Sequence, residues 1–235
     1  MAVTTSDEIV CPDHTENAFR GKNVLLTGAS GGLGYAFALQ LAHCGVKTLV
    51  LTARSEASIQ AVARECKEIS STTDVHCITC DLSNPDSVTL LGKEALKVCN
   101  DMVDILINNG GVSSRSRFLD TKPEVDAAVM QINFLSGASL AKAVVPGMVD
   151  RNLGAIIWIS SVQGLFGLPE RTSYAASKFA VQGYCEGLRG ELASSGVEVH
   201  VASPGYIRTN LSRSAITGDG TPHGKLDSTT AHGAS

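Results

Sequence analysis

Tyr174 and Lys178 stand four residues apart at the start of a segment with helical spacing, so both fall on one helix face. Ser161 closes the apolar run before that segment, and Asn133 lies in a long helical stretch further upstream. A phenol, an ammonium group, a hydroxyl and a carboxamide in this order suit one kind of chemistry. When a hydride reaches a carbonyl carbon, negative charge gathers on the oxygen and a proton must follow. Tyr174 can donate that proton, although an unperturbed phenol has a pKa of about 10. Running the reaction in both directions near neutrality calls for a drop of about 3 units, or ~4 kcal/mol. One cation ~4 Å away supplies ~4 kcal/mol at an effective dielectric of ~20, so Lys178 is of the right order. Ser161 can hold the carbonyl oxygen as an oxyanion donor does, and Asn133 can position a water that links Lys178 to solvent. A Tyr-x-x-x-Lys pair alone is common on helix surfaces; the ordered set of four is not.

A hydride needs a carrier. The segment Thr27-Gly28-Ala29-Ser30-Gly31-Gly32-Leu33-Gly34 joins an apolar strand-like run to a helical one. Gly28 permits a tight turn, Gly32 lets a pyrophosphate approach the backbone, and Gly34 lets helix and strand pack closely. The free N–H groups of the helix start, with Ser30 and Leu33 beside them, make an anion site. Where the second strand ends, a dinucleotide enzyme using NAD usually carries an acid for the ribose hydroxyl. Here the residues are Arg54 and Ser55, which can pair with a phosphate and favour NADP(H) over NAD(H). Asp81 and Leu82 end the third strand, where Asp81 can accept from an adenine amino group; a plain loop acid is the other reading.

These residues need a scaffold that places strand ends together. Apolar, β-branched runs at 22–27, 47–53, 75–80, 103–108, 154–160 and 197–203 alternate with helical spacing at 34–43, 55–70, 85–98, 123–150 and 173–195. Pro146 is expected to bend the end of the long helix. Near-continuous apolar strands imply both sheet faces covered. The fold class is therefore α/β: a three-layer, doubly wound parallel sheet of the Rossmann type in a single domain at 22–235. Residues 1–21 read as a polar leader and 204–235 as a partial substrate lid.

The 235 residues are 43% hydrophobic and 18% charged, with a net charge of −4, which fits a large core and argues against nucleic acid as a partner. No metal spacing occurs among the six histidines, and no apolar run suggests a transmembrane segment. The seven cysteines are odd in number. Without a signal-like N-terminus they read as free thiols in a reducing, cytoplasmic setting. Cys77 and Cys80 form a C-x-x-C by count, but within a strand-like run they read as core.

Together these residues resemble the short-chain dehydrogenase/reductase family, in its branch of shorter chains. Its glycine motif falls on Gly28, Gly32 and Gly34, and its Asn-Ser-Tyr-Lys tetrad on Asn133, Ser161, Tyr174 and Lys178. Its Asn-Asn-Ala-Gly motif appears as Asn108-Asn109-Gly110-Gly111, with Asn108 and Gly110 at the cofactor. Its Pro-Gly segment along the nicotinamide falls on Pro204, Gly205, Ile207 and Thr209. The resemblance implies an NADP(H)-dependent oxidoreductase acting on a small-molecule carbonyl or alcohol, in a homodimer or homotetramer built through the helices at 123–150 and 173–195. The sequence from Ser203 onward looks closest to a subgroup whose members usually begin with a membrane anchor, which this chain lacks. The family sheet usually reaches a seventh strand, so the final edge strand is expected to be missing. That shortened lid motivates one alternative: a non-catalytic, NADP-binding regulatory protein. Leu165, Phe166, Leu168, Pro169 and Tyr206 suggest an apolar mouth for lipid-like or steroid-like carbonyls, or ordinary loop packing.

Overall fold

The computed structural model describes residues 18–227 and 231–234. The expected leader at 1–21 lies almost wholly outside these residues, as does Cys11. Six strands, β1 (Asn23–Thr27), β2 (Thr48–Ala53), β3 (Asp74–Thr79), β4 (Ile105–Asn108), β5 (Gly154–Ile159) and β6 (Val197–Ala202), form one sheet in the order β3-β2-β1-β4-β5-β6. Every pairing is parallel. The chain runs outward from β1 in one direction and then returns to continue from β4 in the other. The carboxyl ends of β1 and β4 therefore adjoin at the point where the direction reverses, and a crevice opens there.

Six helices cover the sheet: α1 (Gly32–His43), α2 (Glu56–Ile69), α3 (Pro85–Val98), α4 (Pro123–Met130), α5 (Ser136–Asp150) and α6 (Thr172–Glu191). The alternation of strand residues decides which helices go where. Val24 and Leu26 face one way and join Leu41 of α1 and Val62 and Cys66 of α2 in one core. Leu25 and Val50 face the other way and join Leu91 of α3, Leu140 and Val144 of α5, and Val181 of α6. Ser55 caps α2 by accepting from the Ser58 N–H, and Asn84 caps α3, which also has Pro85 in its first turn. Cys77 and Cys80 are free thiols, like every cysteine among the described residues.

Pro146 lies inside α5. A π-helical turn at Gln131–Leu135, between α4 and α5, interrupts the stretch at 123–150. By length and composition, Pro123–Asp150 is also long and apolar enough to cross a membrane, contrary to the sequence expectation. It lies against the sheet, with Leu140, Val144 and Met148 in the core.

Candidate active site

The turn after β1 is built around backbone that leaves no room for side chains. At Gly28 the chain is left-handed (φ +67°), and a Cβ would stand 2.7 Å from the Gly110 Cα. At Gly34 a Cβ would stand 2.0 Å from the Gly28 carbonyl oxygen. The turn is tied across the crevice to the end of β4. The Thr27 hydroxyl accepts from the Asn109 and Gly110 N–H groups (3.0 and 2.9 Å), and the Asn109 carboxamide donates to the Thr27 carbonyl (2.9 Å). α1 starts two residues earlier than its spacing suggests, and its first turn has neither a side-chain cap nor an acid. Its N–H groups therefore face the crevice with their partial positive charge uncancelled.

A cleft of about 480 Å³ follows from this turn. Gly28, Ser30, Gly32 and Leu33 line one part of it; Arg54, Ser55, Asp81 and Leu82 line the part beyond β2 and β3. Gly110, Ser161, Tyr174 and Lys178 line the far end, with Pro204, Gly205, Ile207 and Thr209 closing over it. Arg54 and Asp81 are exposed, and the Arg54 charge reaches Asp81. The Asp81 carboxyl is held below the usual carboxylate range, first by the Ser83 N–H, then by the Ser83 hydroxyl and Arg54, against a smaller effect of burial. The Thr52 hydroxyl at the end of β2 is buried, has no hydrogen-bond partner, and lines the cleft. An uncapped helix start, a cradle that tolerates no Cβ and an orphaned hydroxyl fit a nicotinamide dinucleotide.

Ser161, Tyr174 and Lys178 line the far end, Asn133 does not line the cleft, and all four are buried. The Lys178 ammonium stands 5.7 Å from the centre of the Tyr174 ring and donates to the Ile159 carbonyl at the end of β5 (2.9 Å). Ser161 follows two residues later. Asn133 lies in the π turn, and its carboxamide is fully engaged: it accepts from the Val112 N–H and donates to the Val112 carbonyl and the Ser177 hydroxyl.

The chain matches the short chain dehydrogenase family over residues 22–219. Dehydrogenase/reductase SDR family member 7B of Danio rerio is 45% identical over 217 residues, which cover 91% of this chain and 70% of that protein. Among solved structures, a short chain dehydrogenase/reductase from Burkholderia phymatum in complex with NAD superposes with a TM-score of 0.77 at 29% identity, covering 83% of this chain and 69% of that one. A short-chain dehydrogenase from Sphingobium yanoikuyae in complex with NADPH gives 0.76 at 31% identity, covering 81% and 73%. The protein belongs to the short-chain dehydrogenase/reductase family. As members of that family are, it is an oxidoreductase with a Rossmann-type nucleotide-binding fold.

In this dehydrogenase/reductase burial pushes Tyr174 above its ordinary value, while the Ser161 hydroxyl and then the charges of Arg115 and Arg171 pull it down. Burial brings the Lys178 ammonium itself down to about 8, and its hydrogen bond goes to a carbonyl. Asn108 does not line the cleft. It is the last residue of β4, and its carboxamide points at the Gly137 carbonyl (3.4 Å) in the core, while Asn109 and Gly111 line the cleft. Gly34 does not line the cleft either and serves packing alone. Leu165, Phe166 and Pro169 are exposed and Leu168 half-buried, and none of them lines the cleft or the smaller cavity beside it, which Tyr206 does line.

Sequence reasoning missed the residues that fasten the covering segment. Arg115 donates to Asp227 through both Nε and Nη2, and Arg171 donates to the same carboxylate oxygen (3.1 Å). Burial pushes the Asp227 carboxyl up, but the Arg115 hydrogen bond and the charges of Arg115, Arg171 and His223 outweigh it and hold it low. The partners lie 112 and 56 residues apart, and no local pattern announces such a pair.

Proposed function

We propose that the protein is an NADP(H)-dependent oxidoreductase that interconverts a secondary alcohol and a carbonyl compound by hydride transfer. The observation that carries this reading is the position of Tyr174 and Ser161: both line the dinucleotide-sized cleft and also a smaller cavity on its far side. A phenol and a hydroxyl at that junction can hold an oxygen whose carbon faces the cleft.

When bound along the glycine turn, the reduced nicotinamide supplies the hydride. The remaining work falls to the chain. Ser161 donates a hydrogen bond to the carbonyl oxygen and orients it. Tyr174 gives its proton to that oxygen as the negative charge develops, and takes it back in the oxidative direction. Lys178, with a pKa brought to about 8, can return a proton toward the phenol at physiological pH. Because the Asn133 carboxamide is engaged, its part is to hold Val112 and Ser177 in place around Lys178, with its main chain left to position a relay water. The net change is carbonyl plus NADPH plus one proton to alcohol plus NADP+. Arg54 and Ser55, which follow β2 where an enzyme that prefers the unphosphorylated dinucleotide usually carries an acid, support the phosphorylated dinucleotide. Leu135 and Phe179, exposed on the π turn and α6, support pairing of two copies through these helices.

Purified protein is expected to oxidise NADPH in the presence of ketones, and Tyr174→Phe to lower turnover about a hundredfold or more with NADPH affinity kept. Full activity in that variant would refute the assignment.

A further inference from the structure

On the side of Ser161 and Tyr174 away from the dinucleotide cleft lies a cavity of about 50 Å³. A water needs roughly 10–15 Å³ of such space, so the cavity admits a substituent of only a few heavy atoms. Its walls are mixed: Ser113, Arg115, Gln163 and Ser212 contribute polar groups beside Val162, Ile207 and Leu211. Most of these groups are occupied. Arg115 donates to Asp227, to the Ser113 hydroxyl and to the Ser114 carbonyl, and the Ser212 hydroxyl accepts from the Asp227 N–H.

Gln163 is the exception. Its backbone N–H donates to the Ser161 hydroxyl (3.2 Å), which fixes it in the 3-10 turn Val162–Gly164 directly behind that serine. The residue is 5% exposed, yet its carboxamide oxygen has no hydrogen-bond partner. A buried amide in this state lowers stability unless a ligand completes it.

We propose that Gln163 is a specificity-determining residue: its carboxamide receives a hydroxyl carried on the carbon next to the reacting one, so that the preferred substrates are α-hydroxy ketones and the vicinal diols they yield. This rests on the oxidoreductase reading above. The geometry limits the distance. Ser161 holds the reacting oxygen, Gln163 is two residues on in the same tight turn, and the cavity between them is too small for a longer spacer. A substrate that leaves the carboxamide unpaired forfeits the interaction, which is how polar sites discriminate most strongly.

The test compares acetoin with butanone, which differ by that hydroxyl, as substrates for NADPH oxidation by the whole protein and by Gln163→Met. The wild type should favour acetoin in kcat/KM, and the ratio should fall about tenfold or more in Gln163→Met, with butanone turnover and NADPH binding retained. A ratio unchanged in the folded variant overturns the proposal and leaves the oxidoreductase reading standing. So does a wild type that reduces cyclohexanone but neither acetoin nor butanone. Absence of turnover with every ketone removes the oxidoreductase reading itself. Should Gln163→Met fail to fold, inhibition of the wild type decides: vicinal butanediol should bind at least about fivefold more tightly than secondary butanol, and equal binding overturns the proposal.

Discussion

The two sides of the cleft are built by different means. On the dinucleotide side every contributing residue follows directly after a strand, and its position is set by the ladder of a parallel sheet and by close backbone packing at Gly28 and Gly34. On the covering side, residues 204–227 carry no strand or helix longer than isolated bridges. That side is held by isolated backbone links, such as those of Ile216 to Ser113 and Arg115, and by side chains: Asp227 on Arg115 and Arg171, with Ala215 and Ser212 buried beneath. A continuous ladder is stiffer than a cover of scattered bonds, ion pairs and a few buried side chains, so local opening is least costly on the covering side.

That contrast can be broken or sharpened by substitution. The largest effect is expected at the junction: Tyr174→Phe should cost about a hundredfold or more in turnover, read by NADPH oxidation, while leaving the unfolding midpoint nearly unchanged. Next comes the rigid side. Gly34→Ala forces a Cβ against the Gly28 carbonyl and should destabilise by about 2–3 kcal/mol in urea unfolding, with weakened NADPH binding. A loss under ~0.5 kcal/mol would show that the turn is more yielding than its contacts imply. Arg54→Asp exchanges a cation for the acid that a non-phosphorylated dinucleotide favours; the ratio of NADPH to NADH efficiency should fall about tenfold or more, without loss of stability. The smallest effect is expected on the covering side. Asp227→Asn should cost on the order of 1 kcal/mol and raise KM for the carbonyl more than for NADPH. The sign with pH follows from its depressed carboxyl. The stabilisation is fully present above the usual carboxylate range and is lost as pH falls through the lower folded value, so urea unfolding across the acid range should lose stability in the wild type and less so in Asp227→Asn.

The same contrast explains what could be read from residues alone. The sheet was legible because β1, β2 and β4 are unbroken apolar runs, and the turn at residues 28–34 because glycine there answers a backbone need. Tyr174 and Lys178 were legible through their helical spacing. Asn108 was misplaced because two asparagines adjoin at a strand end, where a shift of one residue exchanges core for cleft. The π turn at Gln131–Leu135 has no signature in helical periodicity, so Asn133 was given a freer carboxamide than it has. Arg115, Asp227 and Gln163 escaped because their significance lies in partners distant along the chain, or in the lack of one.

Thr209 comes down over the glycine turn so closely that a Cβ on Gly32 would lie 3.2 Å from its methyl group. A few residues away, Gly205 and Ile207 border both cavities. One short ribbon of chain therefore spans the entrance of the coenzyme and the berth of its reaction partner. A displacement of that ribbon would open both spaces at once.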